Sequence, residues 1–256
     1  MPAPTKLDTS ELVRQVKALY RQVAQQPSAQ FHFPLGRPLA ERLGYPAELL
    51  DAVPAEGLAS FAGVGYALDL AGLAPGMRVL DLGSGSGTDS FAAAHLVGPT
   101  GQVTGIDMTD AQRAKADRLR AGVAHISFVP GRLEDLPFDD ASFDVVISNG
   151  VVNLCPDKAR VFAEAARVLA PGGRLALADI VSTRPLPETV TCNADLWSAC
   201  IGGAAPEVDY RAAIDKAGLR IDAVREVPEY QFLTTQARNA SREYGVRAIT
   251  LAAHKI

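Results

Sequence analysis

From Arg78 onward, short apolar runs alternate with stretches of helical period, and that alternation predicts the architecture. The spacing predicts strands at 78–82, 102–107, 125–129, 143–148 and 173–179, with helices at 88–96, 110–121 and 157–169 between most of them. Val79 to Leu82 is the kind of apolar run that a strand buried on both faces requires. Strand–helix alternation implies right-handed crossovers and a parallel sheet, with ligands at its carboxyl edge. After Asp179 an irregular, cysteine-bearing segment runs to Pro206. A helix at 207–217, a strand near 219–226 and a last strand at 247–255 close the chain.

The first 75 residues read differently and are expected to form a helical lid or substrate segment, with the α/β unit spanning 76–256. Leu12, Val13, Val16, Leu19, Tyr20 and Val23 recur with a helical period between Ser10 and Gln25, and Ser10 is the expected N-cap. A loop from Pro27 to Arg37 carries Phe31-His32-Phe33. Short helices are expected at Pro46–Ala52 and Ala67–Leu73, and Ala74-Pro75-Gly76 turns into the sheet. No internal repeat or low-complexity tract is present.

Chemistry enters at the end of the first predicted strand, in Asp81-Leu82-Gly83-Ser84-Gly85-Ser86-Gly87. Glycines at 83, 85 and 87 permit a tight turn and leave no Cβ between backbone and ligand. The helix that follows turns its free amide groups toward the same crevice. Asp107, 20 residues beyond Gly87, ends the second strand, where a carboxylate can accept both hydroxyls of a ribose. A dinucleotide fingerprint would read G-x-G-x-x-G, and this spacing misses it by one residue.

The stretch from Asp81 to Gly87 resembles motif I of the class I S-adenosylmethionine-dependent methyltransferases. That resemblance implies a Rossmann-like α/β fold: a seven-stranded, mostly parallel sheet with helices on both faces and an antiparallel last strand. It also implies S-adenosyl-L-methionine as cofactor, with Asp81, Gly83, Ser84, Gly85, Gly87, Asp107 and Met108 beside it. Gly131-Arg132-Leu133-Glu134-Asp135-Leu136-Pro137-Phe138 is similar to the family segment G-D-A-E-D-L-P-F, which places Leu133 and Glu134 against the adenine. Asn149, after the fourth strand, would face the methionine arm. Ala170 to Gly173 is expected to be the turn before the fifth strand.

Between residues 144 and 210 the resemblance narrows to the arsenite methyltransferases. It is carried by Ser148-Asn149, by Val152-Asn153-Leu154-Cys155-Pro156-Asp157-Lys158, and by Trp197-Ser198-Ala199-Cys200-Ile201-Gly202-Gly203-Ala204. In that family thiolates hold trivalent arsenic, a soft ion. Of the three family positions only Cys200 is a cysteine here; Ala62 and Gly150 stand where the other two are expected. Cys200 and His32 are the catalytic candidates, Cys200 lining the acceptor pocket and His32 as a lid residue that helps deprotonate an acceptor. Cys155, Cys192 and Tyr20 read more simply as packing residues.

Composition narrows the function classes. Net charge is −4 with no basic stripe, which argues against duplex nucleic acid as partner. No apolar run approaches the roughly 20 residues of a membrane span, and the first residues lack a secretory signal. Three cysteines without a C-x-x-C pair fit a reducing cytoplasm, and no zinc spacing is present. The expected activity is therefore methyl transfer to a small-molecule acceptor, an arsenical or another soft compound. An organic metabolite methylated at O, N or C, and a non-catalytic cofactor-binding module, stand as alternatives. Nothing in the chain sets an oligomeric state.

Overall fold

The computed structural model describes residues 7–193, 196–197 and 201–256. Strands β1 (Arg78–Leu82), β2 (Gln102–Asp107), β3 (Ile126–Pro130), β4 (Phe143–Asn149), β5 (Leu169–Val181), β6 (Leu219–Glu226) and β7 (Arg247–Lys255) form one sheet. Its order is β3-β2-β1-β4-β5-β7-β6. Strands β1 to β5 pair in parallel, and β7 inserts antiparallel to both β5 and β6. The seven-stranded, mostly parallel sheet expected from the sequence is thus present. Order reverses at β1, whose neighbours are β2 and β4, so a crevice opens above its carboxyl end.

Before the sheet come α1 (Thr9–Gln25), α2 (Arg37–Arg42), α3 (Ala47–Asp51) and α4 (Ala55–Leu58). Helices α5 (Thr88–Val97), α6 (Asp110–Leu119) and α7 (Lys158–Val168) connect the parallel strands. Then follow α8 (Glu188–Thr191), α9 (Glu207–Lys216) and α10 (Thr235–Tyr244). Alternate residues of the central strands feed two cores. Val79, Val103, Val145 and Ile147 pack with Phe91, Leu39 and the inward face of α1, while Leu80, Leu82, Val146 and Leu175 pack with Phe162, Tyr210 and Ile214. Helix α5 is buried along most of its length because the sheet holds one side and the N-terminal segment the other.

Several expectations are corrected. Asp8, not Ser10, caps α1: its carboxylate accepts from the amides of Ser10 and Glu11, because the helix starts two residues earlier, at Thr9. Residues 67–73 form hydrogen-bonded turns, Leu70 N–H to Ala67 O and Ala71 N–H to Leu68 O, rather than a helix. The expected turn at 170–173 lies within β5, as an irregularity between the Phe143–Leu169 and Val145–Arg174 pairs. Helix α10 has no counterpart in the sequence reading: its core-facing stripe is only Ala237, Ala240 and Tyr244, of which Ala237 alone is fully buried.

Candidate active site

The crevice above β1 is a deep cleft. Its floor is the β1–α5 loop from Gly83 to Ser86, and its far wall is Asp107, Met108 and Thr109 beyond β2. Gly131 to Glu134 close one side, and Asn149 to Val151 with Leu154 to Pro156 close the other. Val13, Val16 and Tyr20 of α1, with Ser60 to Gly63, form the roof.

Gly83 and Gly85 hold left-handed backbones, with φ of 71° and 54°. A Cβ on Gly83 would stand 2.6 Å from a methyl of Val151, so the loop and the wall approach too closely for any side chain. Asp107 is fixed from both sides: the Gly85 amide donates to one carboxylate oxygen at 3.0 Å and the Thr109 amide to the other at 2.7 Å. Each oxygen keeps a lone pair for a second donor, which is what a vicinal diol supplies. Burial pushes the Asp107 carboxyl above its usual pKa, and those two amides pull it back. Leu133, buried, and Met108, partly buried, give an apolar slot beside Asp107. Glu134 lines the same end and pairs with Arg132 at 3.3 Å.

Two further carboxylates stand at the other end. Asp81 is 2% exposed and accepts from the Ser90 hydroxyl at 2.6 Å. Asp89, on the first turn of α5, accepts from the Tyr45 hydroxyl at 2.5 Å and from the Asn149 amide at 3.1 Å. Burial and the Asp89 charge push the Asp81 carboxyl up to about 8, and burial raises Asp89 as well. The Asn149 side chain is fully engaged: it accepts from the Val64 amide at 2.8 Å and donates to Gly65 O and the Tyr45 hydroxyl oxygen at 2.9 and 3.0 Å. It therefore ties residues 45, 64 and 65 to the end of β4.

The roof is docked by α6. Gln112 donates to Tyr20 O at 3.1 Å and accepts from the Ser86 hydroxyl. Lys115 donates to Ala24 O at 3.0 Å and to the Ser60 hydroxyl at 2.8 Å. Lys115 thus satisfies a carbonyl of the last turn of α1, which has no following turn to do so, and Gln112 adds a bond one turn earlier.

A second polar cluster lies behind the Leu154–Pro156 wall. Asp179 is fully buried and accepts from Tyr210 and Asn153, each at 2.6 Å. Lys158 donates to the carbonyls of Asn153 and Cys155 and stands 4.8 Å over the Trp197 ring.

Of the residues predicted from sequence, Asp81, Gly83, Ser84, Gly85, Asp107, Met108, Leu133, Glu134 and Asn149 meet at this cleft. Gly87 does not line it: its φ of 91° starts α5, and a Cβ there would meet Phe128 and Phe91. His32 is likewise absent from the lining and packs edge-on against Phe33 at 4.6 Å. Cys200 lies outside the described residues. Tyr20, expected to be packing, reaches the cleft and stacks on Phe33 at 6.1 Å. Ala62 and Gly150, where the sequence resemblance leads one to expect thiols, both line the cleft. Cys155 lines it too, and burial pushes its thiol well above the usual range, which keeps it protonated. Sequence reading missed Asp89, Tyr45 and Gln112. The signal for Asp89 was an acid in a helix whose other residues, His95 apart, are apolar or small.

This sheet order, with a glycine loop after β1 and an acid closing β2, defines the class I S-adenosylmethionine-dependent methyltransferase fold. A methyltransferase-domain family model matches residues 73–236, and the chain belongs to that family. It is 41% identical over 226 residues to an arsenite methyltransferase of Halobacterium salinarum, covering 80% of this chain and 57% of that protein. The arsenite methyltransferase of Aquipseudomonas alcaligenes is 44% identical over 165 residues, 61% of this chain and 47% of that one. The chain thus spans about half the length of these curated relatives. Among solved structures, the arsenic(III) S-adenosylmethionine methyltransferase of Chlamydomonas reinhardtii superposes with a TM-score of 0.64 at 35% identity, covering 86% of this chain and 74% of the other. Among the described residues no group of three or more His, Cys, Asp and Glu could hold a metal ion, and no helix is long and apolar enough to cross a membrane.

Proposed function

We propose that the chain transfers a methyl group from S-adenosylmethionine to a small-molecule acceptor within this cleft. The observation that carries the reading is the pairing of a glycine-rich loop with Asp107, whose two oxygens are pre-aimed by the Gly85 and Thr109 amides. The residues fit the cofactor: Asp107 takes the ribose diol, Met108 and Leu133 flank the adenine with Glu134 at its edge, and Asp81 lies toward the methionine arm. When bound, the cofactor supplies an electrophilic methyl on a sulfonium for in-line displacement.

The chain's own residues orient and dry the site. Residues 7–75 serve as the lid: α1 and the Ser60–Gly63 strap cover the cleft, and Gln112 and Lys115 hold α1 down. Water exclusion favours a reaction in which opposite charges cancel, and orientation contributes several kcal/mol to lowering the barrier. The acceptor side, formed by Phe61, Ala62, Gly150, Leu154 and Pro156, offers apolar contacts and no described thiolate. A soft acceptor that needs little base assistance suits it, and an arsenical would be held without the three-thiolate grip. The protein is proposed to work in the cytoplasm on acceptors other than nucleic acid. Mass spectrometry with methyl-labelled cofactor and a panel of arsenite, methylarsenite, thiols and phenols tests the reading. Label in one acceptor class identifies it; cofactor binding with no labelled product across the panel would favour a non-catalytic module.

A further inference from the structure

Asp81 and Asp89 share one end of the cleft, and neither forms an ion pair among the described residues. The groups facing them come from every neighbouring element. β1 supplies Asp81, α5 supplies Asp89 and Ser90, and β2 supplies Asp107, whose negative charge bears on Asp81. The N-terminal segment contributes the Tyr45 hydroxyl and the more distant Tyr66, and β4 contributes the Asn149 amide. All are neutral or negative. Asp89 receives two donors from outside its own helix, whereas Asp81 receives only Ser90. The anion is therefore better stabilised on Asp89, and Asp81 is the group that carries a proton. Two buried carboxylates cannot both ionise cheaply without a cation nearby.

We propose that Asp81 and Asp89 form a proton-exchanging cation seat, which releases a proton to solvent when a sulfonium cofactor enters and recovers one when the neutral thioether product remains. This rests on the reading that the cleft takes S-adenosylmethionine. Methyl transfer breaks the sulfur–methyl bond and leaves the electron pair on sulfur, so the cofactor loses one positive charge. The pair then regains its proton from the buffer. The exchange makes the cleft discriminate between substrate and product by charge, and it favours product departure.

Calorimetry of S-adenosylmethionine and S-adenosylhomocysteine, in phosphate and in Tris buffers of equal pH, counts the protons exchanged. Near pH 7 the methionine cofactor should release about one proton per site, and the homocysteine product clearly less. Its affinity should rise about tenfold per pH unit on the acid side of that point. Asp81→Asn should abolish the release, and Asp89→Asn should reduce it by removing the like charge. Equal proton counts for the two compounds, or release that persists in Asp81→Asn, would overturn the proposal; the wild-type comparison decides alone if a variant fails to fold. Binding without proton exchange overturns this inference only, while failure of both compounds to bind overturns the methyltransferase reading with it.

Discussion

The Tyr45 hydroxyl donates to the Asp89 carboxylate across 2.5 Å, although 44 residues separate them in the chain. Through that bond and the Asn149 amide, the N-terminal segment is fastened to the helix that follows the glycine loop. The roof of the cleft and its floor are therefore parts of one hydrogen-bonded unit.

Tyr45→Phe removes a single oxygen from this unit and leaves Asp89 and Asn149 short of a partner in a buried place. A loss of about 1–3 kcal/mol in unfolding free energy is expected, the usual cost of an unsatisfied buried group. Urea unfolding of the two proteins measures it. No change in midpoint would mean that the fastening contributes nothing.

Asp107→Ala should weaken S-adenosylmethionine binding by about 1–3 kcal/mol through loss of its ribose hydrogen bonds. Titration calorimetry gives the value directly. An unchanged dissociation constant would remove Asp107 from the ribose role.

Gly83→Ala places a Cβ 2.6 Å from Val151 on a backbone with φ of 71°. The left-handed conformation alone costs roughly 1–2 kcal/mol for a residue with a Cβ. Adding Val151→Ala should recover the steric part and leave the backbone part. Thermal melts and cofactor titration of the single and double variants separate the two contributions.

The ligand-free protein should lose stability as pH rises toward 8. Asp81 is raised from 3.8 to about 8 in the folded chain, so the native state keeps a proton that the unfolded state has lost. Between those values the contribution falls with pH, by up to about 1.4 kcal/mol per unit, and it levels off above the folded pKa. Comparing denaturation of wild type and Asp81→Asn across this window isolates the effect. Parallel pH profiles would show that Asp81 ionises normally.

Much of the site was legible because it is written in consecutive residues. The Val79–Leu82 run, the Gly83–Gly85 turn and Asp107 each depend on local backbone chemistry, and the structure brings them together as expected. Asn149 was read as a cleft residue, and it is one, but its side chain serves Val64, Gly65, Tyr45 and Asp89. No spacing rule connects residues that far apart. Helix α10 was missed because its core-facing stripe, Ala237, Ala240 and Tyr244, is short and weakly apolar among polar neighbours.

By itself the sequence determined the strand–helix alternation, the glycine turn and the acid that closes β2, since short-range sterics and hydrophobic period act on neighbouring residues. Tertiary structure alone decided that Asp89 faces the cleft, that Gly87 and His32 do not line it, and that α1 roofs it. Those outcomes depend on which surfaces lose water together, and burial is a property of the packed chain rather than of any segment.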